Sequence, residues 1–130
     1  MVKVSHIHSL RLRAVRGATT VVHDDTSLVH DATKELLTAI LTSNHIEPDE
    51  IISAVFTATP DIRSAFPAAA ARELGWTDIP MLCATEIDVP NAQPFCIRVL
   101  LHVEREATSP QLRPVYLREA VLLRQDLVTA

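Results

Sequence analysis

Hydrophobic and polar positions along this chain fall into alternating runs separated by two stretches of helical spacing. From Leu10 to Val22 the pattern starts as alternation. Leu10, Leu12 and Ala14 share one parity and Arg11 and Arg13 the other, which is the period of a strand with one apolar face. Arg16 falls on the apolar parity, so the pattern points it inward. Asp24, Asp25 and Thr26 then supply acidic and capping residues for a helix. Leu28, Ala32, Leu36 and Ile40, with Val29, Thr33 and Leu37, give that helix its apolar stripe, and Asn44 and Pro48 close it. Ile51 to Thr59 is β-branched and apolar and reads as a buried strand, broken by Pro60-Asp61. Pro67 suits a first helical turn, the Ala-rich run to Leu74 continues it, and Gly75 suits the stop. Met81 to Val89 and Phe95 to Val103 read as strands, with a loop at Pro90, Asn91 and Pro94. Ser109-Pro110 opens a turn, and Ala120 to Arg124 suits a last short strand or helix. This order predicts an α/β (α+β) fold, a mixed β-sheet packed on one long helix and a short second helix.

The length of 130 residues suits one domain, expected over 10–130 with 1–9 as an N-terminal extension. Aromatics are only 4%, so the core must be built from Leu, Ile, Val and Ala. A net charge of −4 and a pI near 5.8 argue against a nucleic-acid or membrane surface. An arginine cluster in an acidic protein suggests instead a local anion site. Cys83 and Cys96 are too few for a disulfide framework and read as reduced thiols. No apolar run approaches the ~20 residues of a membrane span or has the form of a signal peptide, so the expected location is cytoplasmic.

Several residues carry candidate chemistry. Arg16 lies in Arg16-Gly17-Ala18-Thr19-Thr20. An inward arginine is costly unless it meets an anion; a strand-edge arginine with a surface carboxylate partner is the other reading. Arg98 sits mid-strand in the most apolar segment, sharing a face with Cys96, Leu100 and His102. It needs a bound anion or an internal ion pair. Glu86 could pair with an arginine or accept from a ligand hydroxyl. Tyr116, the only tyrosine, is either a core residue or a hydroxyl donor at the core's edge. Arg72 and Phe66 bracket the second helix, where a solvent-facing charge is the simplest account of Arg72. Metal and nucleophile readings are poor. His6-Ile7-His8 lacks further ligands, Cys83 or Cys96 with His102 lacks a third member, and two glycines make no phosphate loop.

Together these segments resemble the trimeric, barrel-like chorismate mutases. The resemblance runs from Val15 to Leu127. Its pieces are Val15 to Thr20, Ala58-Thr59-Pro60-Asp61, Ala65-Phe66-Pro67-Ala68 and Ala71-Arg72-Glu73-Leu74, followed by Cys83 to Glu86, Ile97-Arg98-Val99, Val115-Tyr116-Leu117 and Leu123-Arg124. Each is weak alone, but their order and spacing are specific. The resemblance implies a homotrimer forming a pseudo α/β-barrel, with active sites at subunit interfaces and no cofactor. It implies that Arg16 grips a substrate carboxylate and that Arg98 reaches the ether oxygen of chorismate. Glu86 faces the ring and its hydroxyl, and Tyr116 bonds a carboxylate. Phe66, Arg72, Cys83 and Leu123 match positions lining the pocket or its mouth. Two positions depart from the family pattern: Ala69 stands where a lysine is common, and Leu82 where a small polar residue is. A small enamine/imine deaminase of similar trimeric fold and a non-catalytic metabolite-binding trimer are the rival readings.

Overall fold

A computed structural model describes residues 9–123. Its centre is a five-stranded mixed sheet of β1 (Leu10–Thr20), β2 (Ile51–Ala58), β3 (Met81–Thr85), β4 (Cys96–Glu106) and β5 (Val115–Tyr116), in the order β3-β2-β4-β1-β5. β4 runs antiparallel to both β1 and β2, while β3 joins β2 and β5 joins β1 in parallel. Two helices, α1 (Thr26–Asn44) and α2 (Pro67–Glu73), are connected into this sheet. The main core joins Leu36, Leu37 and Ile40 of α1 and Ala68 and Ala71 of α2 to Val15, Phe56, Val99, Leu101 and Val103 of the sheet. Both helices therefore cover the same face.

Local chemistry sets the helix ends. The Asp25 side chain accepts from the Leu28 amide at 3.1 Å, which satisfies one of the free N–H groups of the first turn of α1. That helix stops at His45, whose φ of 53° is left-handed, and the Ile46 amide returns to the Leu41 carbonyl at 2.9 Å. Gly75, with φ of 98°, stands just past α2, as its position after the alanine run predicts. Gly17 has a different reason. A Cβ there would lie 2.6 Å from Ile40 Cδ1 and 3.2 Å from the Val115 carbonyl, so only glycine lets α1 and β5 approach β1 this closely.

The structure corrects several details. The buried parity of β1 is that of Val15, Gly17 and Thr19, and Arg16 is exposed. Register decides this. Val15 pairs with Leu101 and Gly17 with Val99 beneath α1, whereas Ala14 and Arg16 pair with His102 and Leu100 on the face without a helix. β3 ends at Thr85 rather than Val89, because its partner β2 ends at Ala58 before Pro60. The bond from the Glu86 amide to the Ala58 carbonyl, 2.9 Å, is the last link. β4 runs on to Glu106 because β1 supplies partners down to Leu10. The chain near Ala120 forms a 3-10 helix, Arg118–Leu122, and the strand of this region is β5 upstream. A bulge at Ile52 in β2 puts Ile51, Ala54 and Phe56 all in the core.

Candidate active site

The face without a helix is partly capped at one end. There the 3-10 helix places Ala120 over Ala18 and Cys96, with Tyr116 and Leu123 packed against them. Beside this cap lies a groove of about 320 Å³, lined by Arg16, Val55, Thr57, Arg98, Leu100 and Tyr116 together with the backbone of β1 and β4. Register explains the gathering. Thr57 of β2 pairs with Arg98 of β4, Arg98 pairs with Ala18 of β1, and Ala18 pairs with Tyr116 of β5. Four strands thus set these residues in one row across the sheet, and Arg16 is two residues along β1 on the same face.

Glu86 follows directly on β3 and leans over this row. Its Oε2 accepts from Thr57 Oγ1 at 2.6 Å and forms an ion pair with Arg98 Nε at 2.9 Å. The internal ion pair that one reading of Arg98 required is therefore present. It uses only the inner nitrogen of the guanidinium, and Glu86 Oε1 has no hydrogen-bond partner among the described residues. The Arg98 side chain is 44% exposed while that of Glu86 is 15% exposed. A pair so open to water contributes on the order of 0–1 kcal/mol, so its effect is to orient the arginine more than to hold the fold. Arg16 forms no ion pair and the Tyr116 hydroxyl makes no hydrogen bond among the described residues. Two cations and a phenol around one carboxylate give a groove with spare donors, suited to an anionic ligand that also offers a hydroxyl.

Phe66 and Cys83 are elsewhere. They line a second groove of about 290 Å³ with Phe56, Ile62, Arg63 and Pro67, beside the β3 edge. Cys83 pairs with Phe56 and packs against the main core, on the opposite side of the sheet from Glu86. Phe66 precedes α2 and is 69% exposed. Arg72 is exposed in the last turn of α2 and lines neither groove. Leu123 packs behind Tyr116 in the capping cluster. Thr57 was not among the sequence candidates. Its signal was one of two hydroxyls in a mostly apolar strand, with Ser53, at the parity opposite Ala54 and Phe56. Arg124, His6 and His8 lie outside the described residues.

The thiols do not form a nucleophile pair. Burial pushes the Cys96 thiol up to about 11 despite nearby Arg98, and His102 hydrogen-bonds Ser53 at 3.2 Å. Among the described residues no group of His, Cys, Asp and Glu is arranged to hold a metal ion, and no helix is long and apolar enough to cross a membrane.

Known proteins resemble this chain over most of its length. The model of the family described as chorismate mutase type I matches residues 12–127. The chain is 41% identical over 119 residues to the chorismate mutase AroH of Bacillus subtilis, covering 91% of this chain and 94% of that one. It is 45% identical over 120 residues to the chorismate mutase AroH of Thermus thermophilus, covering 92% of this chain and 98% of that one. The solved structure of a chorismate mutase from Clostridium thermocellum superposes with a TM-score of 0.78 at 42% identity, covering 84% of this chain and 97% of that one. On these matches the chain belongs to the type I chorismate mutases.

Proposed function

We propose that this chain is a cytoplasmic isomerase that rearranges chorismate to prephenate, in phenylalanine and tyrosine biosynthesis. Its active unit is a homotrimer, a pseudo α/β-barrel with sites between subunits, that takes neither nucleic acid nor membrane as a partner. Family membership supports the reaction. The observation that carries the site is the Arg98–Glu86 pair, made through the guanidinium's Nε with the terminal nitrogens in no ion pair among the described residues, and with Arg16 and Tyr116 lining the same groove.

The reaction is an intramolecular Claisen-type rearrangement: one carbon–oxygen bond breaks as one carbon–carbon bond forms. No proton moves and no covalent intermediate forms, so neither a general acid nor a nucleophile is required, and no cofactor either. Two things must be supplied. The flexible dianion must be held in its folded conformer, which is the work of Arg16 and Tyr116 on a carboxylate. The transition state must also be stabilised, since its ether oxygen gains negative character and its ring positive character. Arg98 donates to that oxygen and a carboxylate, while Glu86 faces the ring and accepts from its hydroxyl. The Thr57 hydroxyl and the Arg98 Nε fix the carboxylate beforehand, so little reorganisation is needed at the moment of reaction.

The trimer is supported by the two-sided placement of the candidate residues. Arg16, Glu86, Arg98, Tyr116 and Leu123 gather on one side of the sheet, and Phe66 and Cys83 on the other, with Arg72 on α2 nearby in sequence. A cyclic assembly lets one chain's first set meet the next chain's second set. Leu12 and Leu82, 64% and 70% exposed on strands of the uncovered face, suit burial against a neighbour.

The test is ultraviolet loss of chorismate with purified protein, identifying prephenate as product, with no added cofactor and with EDTA present. Turnover under those conditions is the expected result. Binding of chorismate without turnover would favour a metabolite-binding trimer. Ammonia release from an enamine, without chorismate loss, would favour a deaminase.

A further inference from the structure

The second groove, beside the β3 edge, holds a charge that forms no ion pair among the described residues. Arg63 is the one charged residue among the described residues of its lining, with Ile62, Ala65, Phe66 and Pro67 as apolar walls and Cys83 at the floor. Other cations near α2 are engaged or displaced. Lys34 bonds Glu73 at 2.9 Å, and Arg72 lines neither groove.

Arg63 lies in the loop between β2 and α2, and that loop is tied down. Asp24 Oδ2 accepts from the Arg63 amide at 3.0 Å and Asp24 Oδ1 from the Ser64 amide at 3.1 Å. Thr26 Oγ1 donates to the Ser64 carbonyl at 3.2 Å, and Arg63 Nε reaches the Pro60 carbonyl at 3.4 Å. Both oxygens of the Asp24 carboxylate are thus engaged by backbone amides, and hydrogen bonding from Ser64, with the nearby Arg63 charge as a lesser cause, holds this carboxyl below its ordinary range. Arg63 forms no ion pair among the described residues, and the residue is exposed. An arginine on a fixed backbone, with its fork uncommitted, beside an aromatic wall, is arranged to receive a planar anion.

We infer that Arg63 is a substrate-binding residue, holding a carboxylate of the dicarboxylate substrate at the mouth of the site. This rests on the mutase reading and on the site shared between chains. The first groove can place Arg16 and Arg98 on one end of the dianion. Arg63, contributed by the neighbouring chain with Phe66 and Cys83, meets it from the other side. Because Arg63 stands at an exposed mouth, its contribution is to capture and orientation, equal in ground and transition states. It therefore acts on KM more than on kcat.

The experiment measures kcat and KM for chorismate at low and high ionic strength, in the full-length wild type and in Arg63→Ala, Arg63→Gln and Arg63→Lys, with melting temperatures alongside. The expected result is a rise in KM of roughly tenfold for the alanine and glutamine variants, with kcat changed by less than about threefold. Arg63→Lys should recover part of the loss, and the fall of kcat/KM with salt should be shallower without the charge. Product inhibition by prephenate should weaken in parallel. Wild-type KM and salt slope in well-folded Arg63→Gln would overturn the inference and leave the mutase reading standing. So would a fall in kcat and melting temperature with KM unchanged, which marks a purely structural residue. A wild type that does not consume chorismate would overturn the underlying reading and this inference with it.

Discussion

Arg98 enters its groove with Nε paired to Glu86 and with the outer nitrogens forming no ion pair among the described residues. A fork used in this way cannot be replaced by a single ammonium. Arg98→Ala should therefore lower kcat by at least 10²–10³-fold, roughly what losing an oxyanion-type donor costs. Arg98→Lys should recover little of it, while circular dichroism stays native because Arg98 itself is 44% exposed and its pair contributes little to the fold. A lysine variant with near-normal kcat would remove the ether-oxygen role. The cysteines make a second residue-scale case. Burial raises the Cys96 thiol to about 11, so it stays protonated and unreactive well below that pH. With Ellman's reagent between pH 7 and 9, native protein should show Cys83 reacting first and Cys96 only after unfolding. Cys83→Ala should cost activity only modestly, since no covalent step uses the thiol. A substrate-derived mass adduct on Cys83 would contradict that mechanism.

Elements matter here through what they anchor. The two-residue strand β5 carries Tyr116, and two residues of pairing would not hold it in register alone. Asn44 at the end of α1 supplies the rest. Buried, it donates from Nδ2 to the Ile40 and Arg113 carbonyls at 3.0 Å and accepts from the Arg113 amide at 2.7 Å. The end of a helix thereby fixes the segment just before Tyr116. Asn44→Ala should cost about 1–3 kcal/mol, because buried backbone groups lose their partners. It should also raise KM, as Tyr116 loses its placement. Urea unfolding and steady-state kinetics measure the two effects, and lost stability with unchanged KM would show that Tyr116 needs no such anchor. Helix boundaries were legible from the chain because Asp25, Asn44, Pro67 and Gly75 act on their immediate neighbours. The end of β3 was not legible. Met81 to Val89 is uniformly strand-like, and it stops at Thr85 only because β2 offers no further partner.

At the scale of the whole molecule, the proposed trimer lets a neighbour cover the open sheet face and bring the two separated grooves into one site. Light scattering should report a trimer. Mixing Arg98→Ala with Phe66→Asp, each inactive alone, should restore part of the activity after subunit exchange, since some mixed trimers contain one site free of both changes. An active monomer, or mixtures that stay inactive despite proven exchange, would count against the shared site.

The chain by itself determined both helices and the strands β1, β2 and β4, because strand alternation, helical stripes and caps depend on residues a few positions apart. It also showed that Arg98 lies in an apolar strand and needs a partner, and the run of motifs from Val15 onward was enough for the family. Which face Arg16 occupies was decided only by the tertiary structure. Leu10, Leu12 and Ala14 mark an apolar parity, yet that parity lies on the face without a helix, since Gly17 must be the residue beneath α1. Local pattern cannot tell an apolar face that meets a helix of its own chain from one left open to a neighbour. Thr57 and Arg63 were missed for a related reason. A hydroxyl in a strand and an arginine in a loop acquire meaning only when pairing sets Thr57 beside Glu86, and Asp24, 39 residues upstream of Arg63, fixes the loop at the rim of a groove.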